Sequence, residues 1–194
     1  MLSVARSSAV SGIGDPELQA LAVNGNADAF DALIGGRLDR LYRMAYTITR
    51  SESDARDATQ NACVNAWREL PRLRDRTRFD PWLSQILVNS CRMLLRTRRR
   101  GSVREISIDD PDRPLPGDGP ASPSAAEGLS ESDAIRAAFA RLDVATRSLL
   151  AMHYVEGQPL ADIARQLGQP IGTVKWRLSN GRRALETALK AERR

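Results

Sequence analysis

The sequence predicts an all-helical protein built from two helical units and a flexible linker. Strand patterns are nearly absent from its 194 residues. Helix starts are marked at Asp15-Pro16 and Asp80-Pro81, where a capping residue precedes a proline at the first helical position. From residue 101 to about 133 the composition changes to Pro, Gly, Ser and Asp, which is typical of a disordered segment.

The first unit is predicted to contain four helices, with an apolar stripe or a small-residue face on each longer one. Their predicted ranges are 16–23, 27–49, 53–70 and 81–99. The second helix has its stripe at Phe30, Leu33, Leu38, Leu41, Ala45 and Ile48, and Gly35-Gly36 weakens its middle. The third has Ala55, Ala58, Ala62 and Ala66 on one face, and the fourth ends in the basic run Arg96, Arg98, Arg99 and Arg100, which suits phosphate binding.

The predicted boundaries are a disordered N-terminus at 1–14, a first unit at 15–100, an acidic linker at 101–130 and a second unit at 131–194. Fully extended, the linker would reach about 90 Å. That length lets the two units bind sites about two DNA turns apart, roughly 70 Å. The alternative is that the linker is a solvated tether whose acidity has no role of its own.

The second unit contains a helix-turn-helix pattern, in which Gly168 marks the turn between two amphipathic helices. At about 100° per residue, the face of the second helix opposite Val174 is polar and basic. Asparagine suits adenine, lysine and arginine suit guanine or phosphate, and an outward tryptophan can contact a thymine methyl group. The candidate DNA-binding residues are Thr173, Lys175, Trp176, Ser179, Asn180, Arg182 and Arg183. Two alternatives stay open: Trp176 contacts another protein, and the two arginines contact phosphates rather than bases.

Composition excludes several other classes of function. The formal charge of +5 favours an anionic partner. Cys63 and Cys91 lie in apolar helical patterns and are predicted to be reduced core thiols, and His153, the only histidine, is predicted to pack near Tyr154. The sequence has no Gly-rich phosphate loop and no Ser/His/Asp set, so we predict no catalytic residue, no metal and no cofactor. No apolar segment approaches the roughly 18 residues of a membrane span, so we expect a cytoplasmic protein that is not itself a membrane protein.

Four motifs in order resemble the extracytoplasmic-function (ECF) sigma factors of bacterial RNA polymerase. ADAFDAL resembles the start of the family's first conserved region, and SDARDATQNACVNAW its core-polymerase-binding helix. RFDPWLSQILVNSCRMLLRTRRR resembles the promoter-melting helix, and YVEGQPLADIARQLGQPIGTVKWRL the region that binds the minus-35 element. The resemblance covers about residues 15–100 and 131–190.

The resemblance implies that the first unit, like sigma region 2, binds core RNA polymerase and the melted minus-10 element of promoter DNA. The second unit would correspond to region 4. The implied polymerase-binding residues are Asp57, Gln60 and Asn61. The implied minus-10 residues are Arg72, Arg74, Phe79, Trp82, Asn89, Arg92 and Arg96, in which flat apolar rings accompany amide and basic groups suited to an unpaired base and its backbone. The alternatives are that Trp82 is simple core and that Arg72, Arg74 and the polar face of the third helix are only solvated.

The resemblance also implies control by an anti-sigma factor, often anchored in the membrane, and a linker whose carboxylates pass near the polymerase active centre or RNA exit path. The chain departs from the usual pattern at Arg56, Asn61, Cys63, Met93, Trp176 and Asn180, which predicts an altered polymerase contact and an unusual promoter sequence. The main rival is a stand-alone helix-turn-helix repressor or activator, which would bind palindromic duplex DNA without polymerase. An enzyme lacks a catalytic set, and a purely sequestering protein leaves the basic face unexplained.

Overall fold

The computed structural model describes residues 13–106, 137–139 and 141–192. Every regular element within these ranges is helical, which confirms the predicted all-helical fold. Residues 1–12 and 107–136 lie outside the described residues, and with them most of the predicted N-terminal tail and linker.

The first unit has five helices rather than the four that the sequence predicts. They are α1 (Asp15–Val23), α2 (Ala27–Gly35), α3 (Leu38–Thr49), α4 (Glu52–Glu69) and α5 (Phe79–Ile106), with 3-10 turns at Leu70–Arg72 and Arg76–Arg78 between the last two. The predicted second helix breaks at Gly36, because paired glycines have low helix propensity. The Arg37 guanidinium then donates to the Leu33 carbonyl at 2.7 Å, so a side chain supplies a donor near the C-terminus of α2.

Helix α5 is longer than its predicted range of 81–99. It begins at Phe79 and continues through Gly101 to Ile106, beyond the predicted start of the linker. A single glycine inside a helix costs about 1 kcal/mol, which neighbouring arginines, as good helix formers, offset. The basic run is therefore helical throughout.

The first unit has its core where α4 packs against α3 and α5. The alanine face predicted for α4 is fully buried there, at Ala55, Ala58, Ala62 and Ala66. Opposite these small side chains lie large buried ones, among them Leu41, Met44, Ile48, Leu83 and Leu87. The small residues permit close helix approach, so the fold of this unit depends on their size as well as on apolar burial.

The second unit comprises α6 (Val144–Leu150), a π-helical segment (Ala151–Val155), α7 (Leu160–Leu167) and α8 (Ile171–Glu192). Asp143 caps α6 by accepting a hydrogen bond from the Thr146 backbone N–H at 2.8 Å. Gly168 ends α7 with a left-handed φ of 62°, which confirms the predicted turn. His153 packs edge-to-face on Tyr154 with ring centroids 4.8 Å apart, as predicted.

An ionic network fixes the start of α5 to the preceding helices. The Asp80 carboxylate accepts from Arg37 Nε at 2.6 Å and from Arg40 Nη2 at 2.7 Å, and Arg37 also pairs with Asp15. Partial burial opposes ionisation of Asp80, but the hydrogen bonds and charges of the two arginines outweigh it and hold its pKa below the ordinary value. A lowered pKa means that the folded state stabilises the ionised form of this side chain relative to its protonated form.

We expect Asp80→Asn to lower the free energy of unfolding at pH 7 by about 1 kcal/mol, a modest figure because the pair is partly solvated. The ionic contribution is present above the ordinary pKa of an aspartate and disappears as pH falls through the lower folded-state pKa, so the two proteins should converge in stability as the carboxylate becomes protonated in acid. Denaturant unfolding from pH 7 to pH 2.5 measures this difference. Asp31→Asn, at an exposed position of α2, is the matched control. A difference independent of pH would contradict the ionic explanation.

Candidate nucleic-acid interface

Helix α8 presents one buried and one exposed face, as the helix-turn-helix pattern predicts. Val174, Leu178 and Gly181 are buried against the rest of the unit. The exposed candidates are Lys175, Trp176, Ser179, Arg182 and Arg183, whereas Thr173 and Asn180 are half-buried at the edges. Trp176 is 65% exposed, which is unusual for so large an apolar side chain and leaves its ring free for a partner.

A shallow cleft follows the same face. It is lined by Leu160 from the start of α7 and by Lys175, Leu178, Ser179, Arg182, Arg183 and Glu186 from α8. The three cations within one cleft can neutralise phosphates of a duplex, while Trp176 and Asn180 stand one turn apart and can reach base edges. The geometry fits a helix lying in a major groove.

Helix α5 has a second candidate surface. At 100° per residue, Trp82, Asn89, Met93 and Arg96 lie within about 60° of one another around the helix axis. Asn89, Met93 and Arg96 are exposed, Met93 at 66%, and Trp82 and Arg92 are half-buried. Asn89 also accepts a weak hydrogen bond from Gln85 Nε2 at 3.3 Å. The surface combines apolar, amide and cationic groups, which suits a single strand more than a metal or a small acid.

Phe79 does not belong to that exposed surface, which corrects the sequence-based assignment. Its side chain is 2% exposed, and its ring lies 5.6 Å from that of Trp82 and 5.2 Å below the Arg37 guanidinium. Phe79 is therefore a core residue that supports Trp82 from beneath. A base that stacks here would meet Trp82 alone.

Not every arginine of the basic run at the end of α5 is available to bind phosphate. Arg98 Nη2 lies 2.5 Å from the Asp54 carboxylate of α4, whose side chain is 6% exposed. Arg98 thus compensates a buried charge and ties α5 to α4. Arg96 and Arg100 are exposed.

The remaining candidates lie on other faces of the first unit. Asp57, Gln60 and Asn61 are all exposed on α4, on the side away from its buried alanines. Arg72 ends the 3-10 turn after α4, and Arg74 follows it in the loop before α5; both are exposed. The structure thus separates an α4 surface, an α5 surface with its loop, and the α8 surface.

Sequence reasoning missed the contacts that bring the two units together. The Arg147 and Glu156 side chains of the second unit are buried against α3 and α5. The sequence held one signal of these contacts: Arg147 is a charged residue within an otherwise apolar stripe of α6, which indicates a buried polar contact with another element. Met93 was noted only as a departure from the family, although the 100° rotation places it in the middle of the α5 surface.

Both cysteine thiols are protonated at neutral pH. Burial raises the pKa of Cys91 to about 12, and burial with the nearby Asp31 charge raises that of Cys63. Thiols of this kind are poor nucleophiles and metal ligands. Within residues 13–106, 137–139 and 141–192, no group of three His, Cys, Asp or Glu side chains is placed to hold a metal ion. Across the same described ranges, no helix combines the length and apolar character needed to cross a membrane.

Comparison with known proteins identifies the family. Residues 33–101 match the family Sigma-70 region 2, and residues 132–185 match Sigma-70, region 4. The ECF RNA polymerase sigma factor SigM of Mycobacterium tuberculosis is 34% identical over 90% of this chain and 84% of its own. The ECF RNA polymerase sigma factor SigW of Bacillus subtilis is 24% identical over 86% of this chain and 91% of its own.

Solved structures agree with these sequence relatives. CnrH, solved in complex with the cytosolic domain of CnrY, superposes with a TM-score of 0.62 at 25% identity over 91% of this chain and 97% of that one. RpoE of Bartonella quintana, solved with the anti-sigma factor NepR, gives a TM-score of 0.60 at 24% identity over 83% and 96%, which supports the fold. Because a relative at 34% identity spans nearly the whole chain, this chain belongs to the ECF sigma factors, a family of transcription initiation factors for RNA polymerase.

Proposed function

We propose that the three surfaces divide the work of promoter recognition. Asp57, Gln60 and Asn61 on α4 bind core RNA polymerase, the α5 surface holds the melted minus-10 strand, and the α8 face reads the minus-35 duplex. The observation that carries this proposal is the exposed face of α8, where Trp176, Lys175 and Arg183 stand outward from a buried helix-turn-helix core. No catalytic step is assigned to the chain itself, which acts in the cytoplasm with the polymerase.

The α5 surface supports the minus-10 assignment by its chemistry. Trp82 offers a ring braced by Phe79, Asn89 offers an amide, and Arg96 offers a cation to the backbone. Arg92 is half-buried beside them, and Arg72 and Arg74 extend the positive charge into the adjoining loop. Stacking combined with backbone charge is the general way in which proteins hold single strands.

An anti-sigma factor is the proposed regulator. CnrH was solved in complex with the cytosolic domain of CnrY, and the CnrH fold matches 91% of the present chain. The exposed face of α4 and the open groove beside α3, lined by Tyr42, Arg43, Tyr46, Thr47 and Val155, are surfaces that such a protein could cover. Covering the first would block polymerase binding directly.

The test of this function is run-off transcription with purified bacterial core polymerase on a pool of promoter fragments from the source genome. Discrete transcripts that appear only when the protein is added are the expected result, and their start sites give the promoter sequence. If the protein binds a palindromic duplex tightly by itself and yields no transcripts, the stand-alone repressor or activator is correct instead.

Replacing Trp176 and Asn180 together with alanine should change the preferred minus-35 sequence without weakening polymerase binding. A bidentate contact from asparagine to adenine contributes about 1–3 kcal/mol of discrimination, so preference at one position should fall roughly tenfold. Transcription from a randomised minus-35 library measures it. The matched control is Arg183→Ala, which should weaken all sequences alike and reduce the salt dependence, because phosphate contacts are not sequence-specific. Unchanged selectivity in the double variant would rule out base reading by these residues.

A further inference from the structure

The two units contact each other through α3 and the start of α5 on one side, and through α6, the π-helical segment and Glu156 on the other. Their buried apolar residues form one continuous cluster, which includes Ile48 of the first unit and Met152 of the second. The junction also contains charged groups. These groups determine how firmly the units adhere.

Glu156 makes the first polar contact. Its side chain is 2% exposed, and its carboxylate accepts a hydrogen bond from Ser84 Oγ of α5 at 2.8 Å. The other carboxylate oxygen lies 3.4 Å from Arg40 Nε of α3. A carboxylate from the second unit is therefore almost fully buried and has its polar contacts with side chains of the first.

Arg147 makes the second polar contact. Its Nε donates at 2.8 Å to the carbonyl of Ile48, next to the last residue of α3. That carbonyl is one of those that a helix leaves without an intrahelical partner, and a cation is favourable at a helix C-terminus. The same guanidinium donates to Leu142 O at 2.7 Å within its own unit, so it joins the two units through α3.

The contact has features of a separable junction. Burying a carboxylate and a guanidinium costs desolvation that their hydrogen bonds only partly return. Arg50 of the first unit adds repulsion, since burial and then the Arg50 charge lower the pKa of Arg147. A third pair, Arg78 with Asp162 at 3.9 Å, is partly solvated and contributes little. An open groove lined by Tyr42, Tyr46 and Val155 lies beside the junction.

Simultaneous promoter binding requires the units to part. Units of about 90 and about 60 residues have radii of gyration of about 12 Å and about 10 Å, so the centres of the two touching units are roughly 30 Å apart. Two elements separated by two DNA turns lie roughly 70 Å apart. Units held in contact, as by the 2.8 Å hydrogen bond from Arg147 to Ile48 O, are too close together to occupy both DNA elements at once.

We propose that this contact is a closed, self-inhibited state of the free protein, in which Glu156 and Arg147 clasp the second unit onto α3 and α5. The inference rests on the proposed function, because closure inhibits only a protein whose units act at separate sites. Closure lowers the apparent affinity for polymerase at a promoter, because only the fraction of molecules that are open can bind both DNA elements. Weakening the clasp therefore favours the active form.

Small-angle X-ray scattering of the free full-length protein tests the closed state, and Glu156→Lys opposes it by placing a cation against Arg40. The wild type should be compact, with a radius of gyration that the predicted tail and linker raise moderately above the roughly 16 Å of a single body of this length. The variant should be larger than the wild type by about a quarter or more. Glu69→Lys, the same charge change at an exposed position of α4, should scatter like the wild type. Ser84→Val tests the clasp from the first unit, because it removes the donor to Glu156 and leaves the second unit unaltered.

The apparent Kd for polymerase and promoter DNA together should fall about threefold or more in Glu156→Lys and Ser84→Val. An extended wild type, or two variants as compact as the wild type, would overturn the clasp. Open variants with unchanged affinity would show that closure does not inhibit. Scattering needs neither polymerase nor DNA, so a failure of run-off transcription would refute the proposed function while leaving the compact state established.

Discussion

Replacing Gly181 with leucine should destabilise the second unit by about 2–3 kcal/mol, because extra carbons in a filled core force neighbouring groups apart. A Cβ at this position of α8 would lie 3.0 Å from Thr146 Cγ2 and 3.2 Å from Leu150 Cδ1. Both of those side chains belong to α6 and are buried. A leucine brings three further carbons into the same space, and its better helix propensity, worth about 1 kcal/mol, does not compensate.

Thermal and denaturant unfolding of the full chain measure this effect, followed by binding to the minus-35 duplex. Gly172→Leu is the matched control, since the same substitution on the same helix meets open space. The control should be as stable as the wild type or slightly more so. Duplex binding should be lost for Gly181→Leu, because α8 is positioned by its packing on α6. Gly172→Leu is the control for stability only, because Gly172 lies between Ser179 and Arg183 on the DNA-facing side of α8. Equal midpoints for the two variants would mean that α8 does not rest on α6 as closely as described.

The fold was largely predictable because most of its helices are specified by patterns of residues that are close together in the sequence. The alanine face of α4 and the left-handed Gly168 are features of neighbouring residues, and each is found where the sequence places it. The two proline-led helices exist but begin earlier than predicted, at Asp15 and Phe79, so the prediction that Asp15 and Asp80 are capping residues is wrong. The break between α2 and α3 was only half visible. Two glycines weaken a helix without fixing where it ends. The end of α2 is stabilised by the contacts of Arg37 with Leu33 and Asp80, and these contacts depend on the assembled fold.

The candidate site was predictable to the same degree. The α8 face follows from one rotation rule, because every residue on it belongs to one helix. Phe79 and Arg98 show the limit of such reasoning. Two rings at a helix start do not reveal which one is buried, and a run of arginines does not reveal which one faces Asp54 of another helix. The clasp through Glu156 joins residues far apart in the chain, so no local pattern encodes it.

Replacing Trp82 with alanine should strongly reduce promoter opening while leaving polymerase binding intact. Stacking of one base on an aromatic side chain contributes about 1–3 kcal/mol, so the open fraction should fall about tenfold or more. Trp82 is half-buried on Phe79, so the variant should also lose stability, by about 2 kcal/mol, less than for a fully buried tryptophan. Permanganate reactivity of unpaired thymines measures opening, and co-purification with core polymerase measures binding.

A stability loss alone must be distinguished from a loss of stacking. Trp67→Ala removes the same ring from α4, where it packs on Phe30 at a centroid distance of 5.0 Å and away from the α5 surface. At protein concentrations that give equal polymerase occupancy, Trp67→Ala should open promoters normally, and Trp82→Phe should retain most of the opening because it keeps a flat ring. If Trp82→Ala and Trp67→Ala opened promoters equally well, Trp82 would be a core residue, and the base-holding surface would have to be sought at Met93 and Asn89.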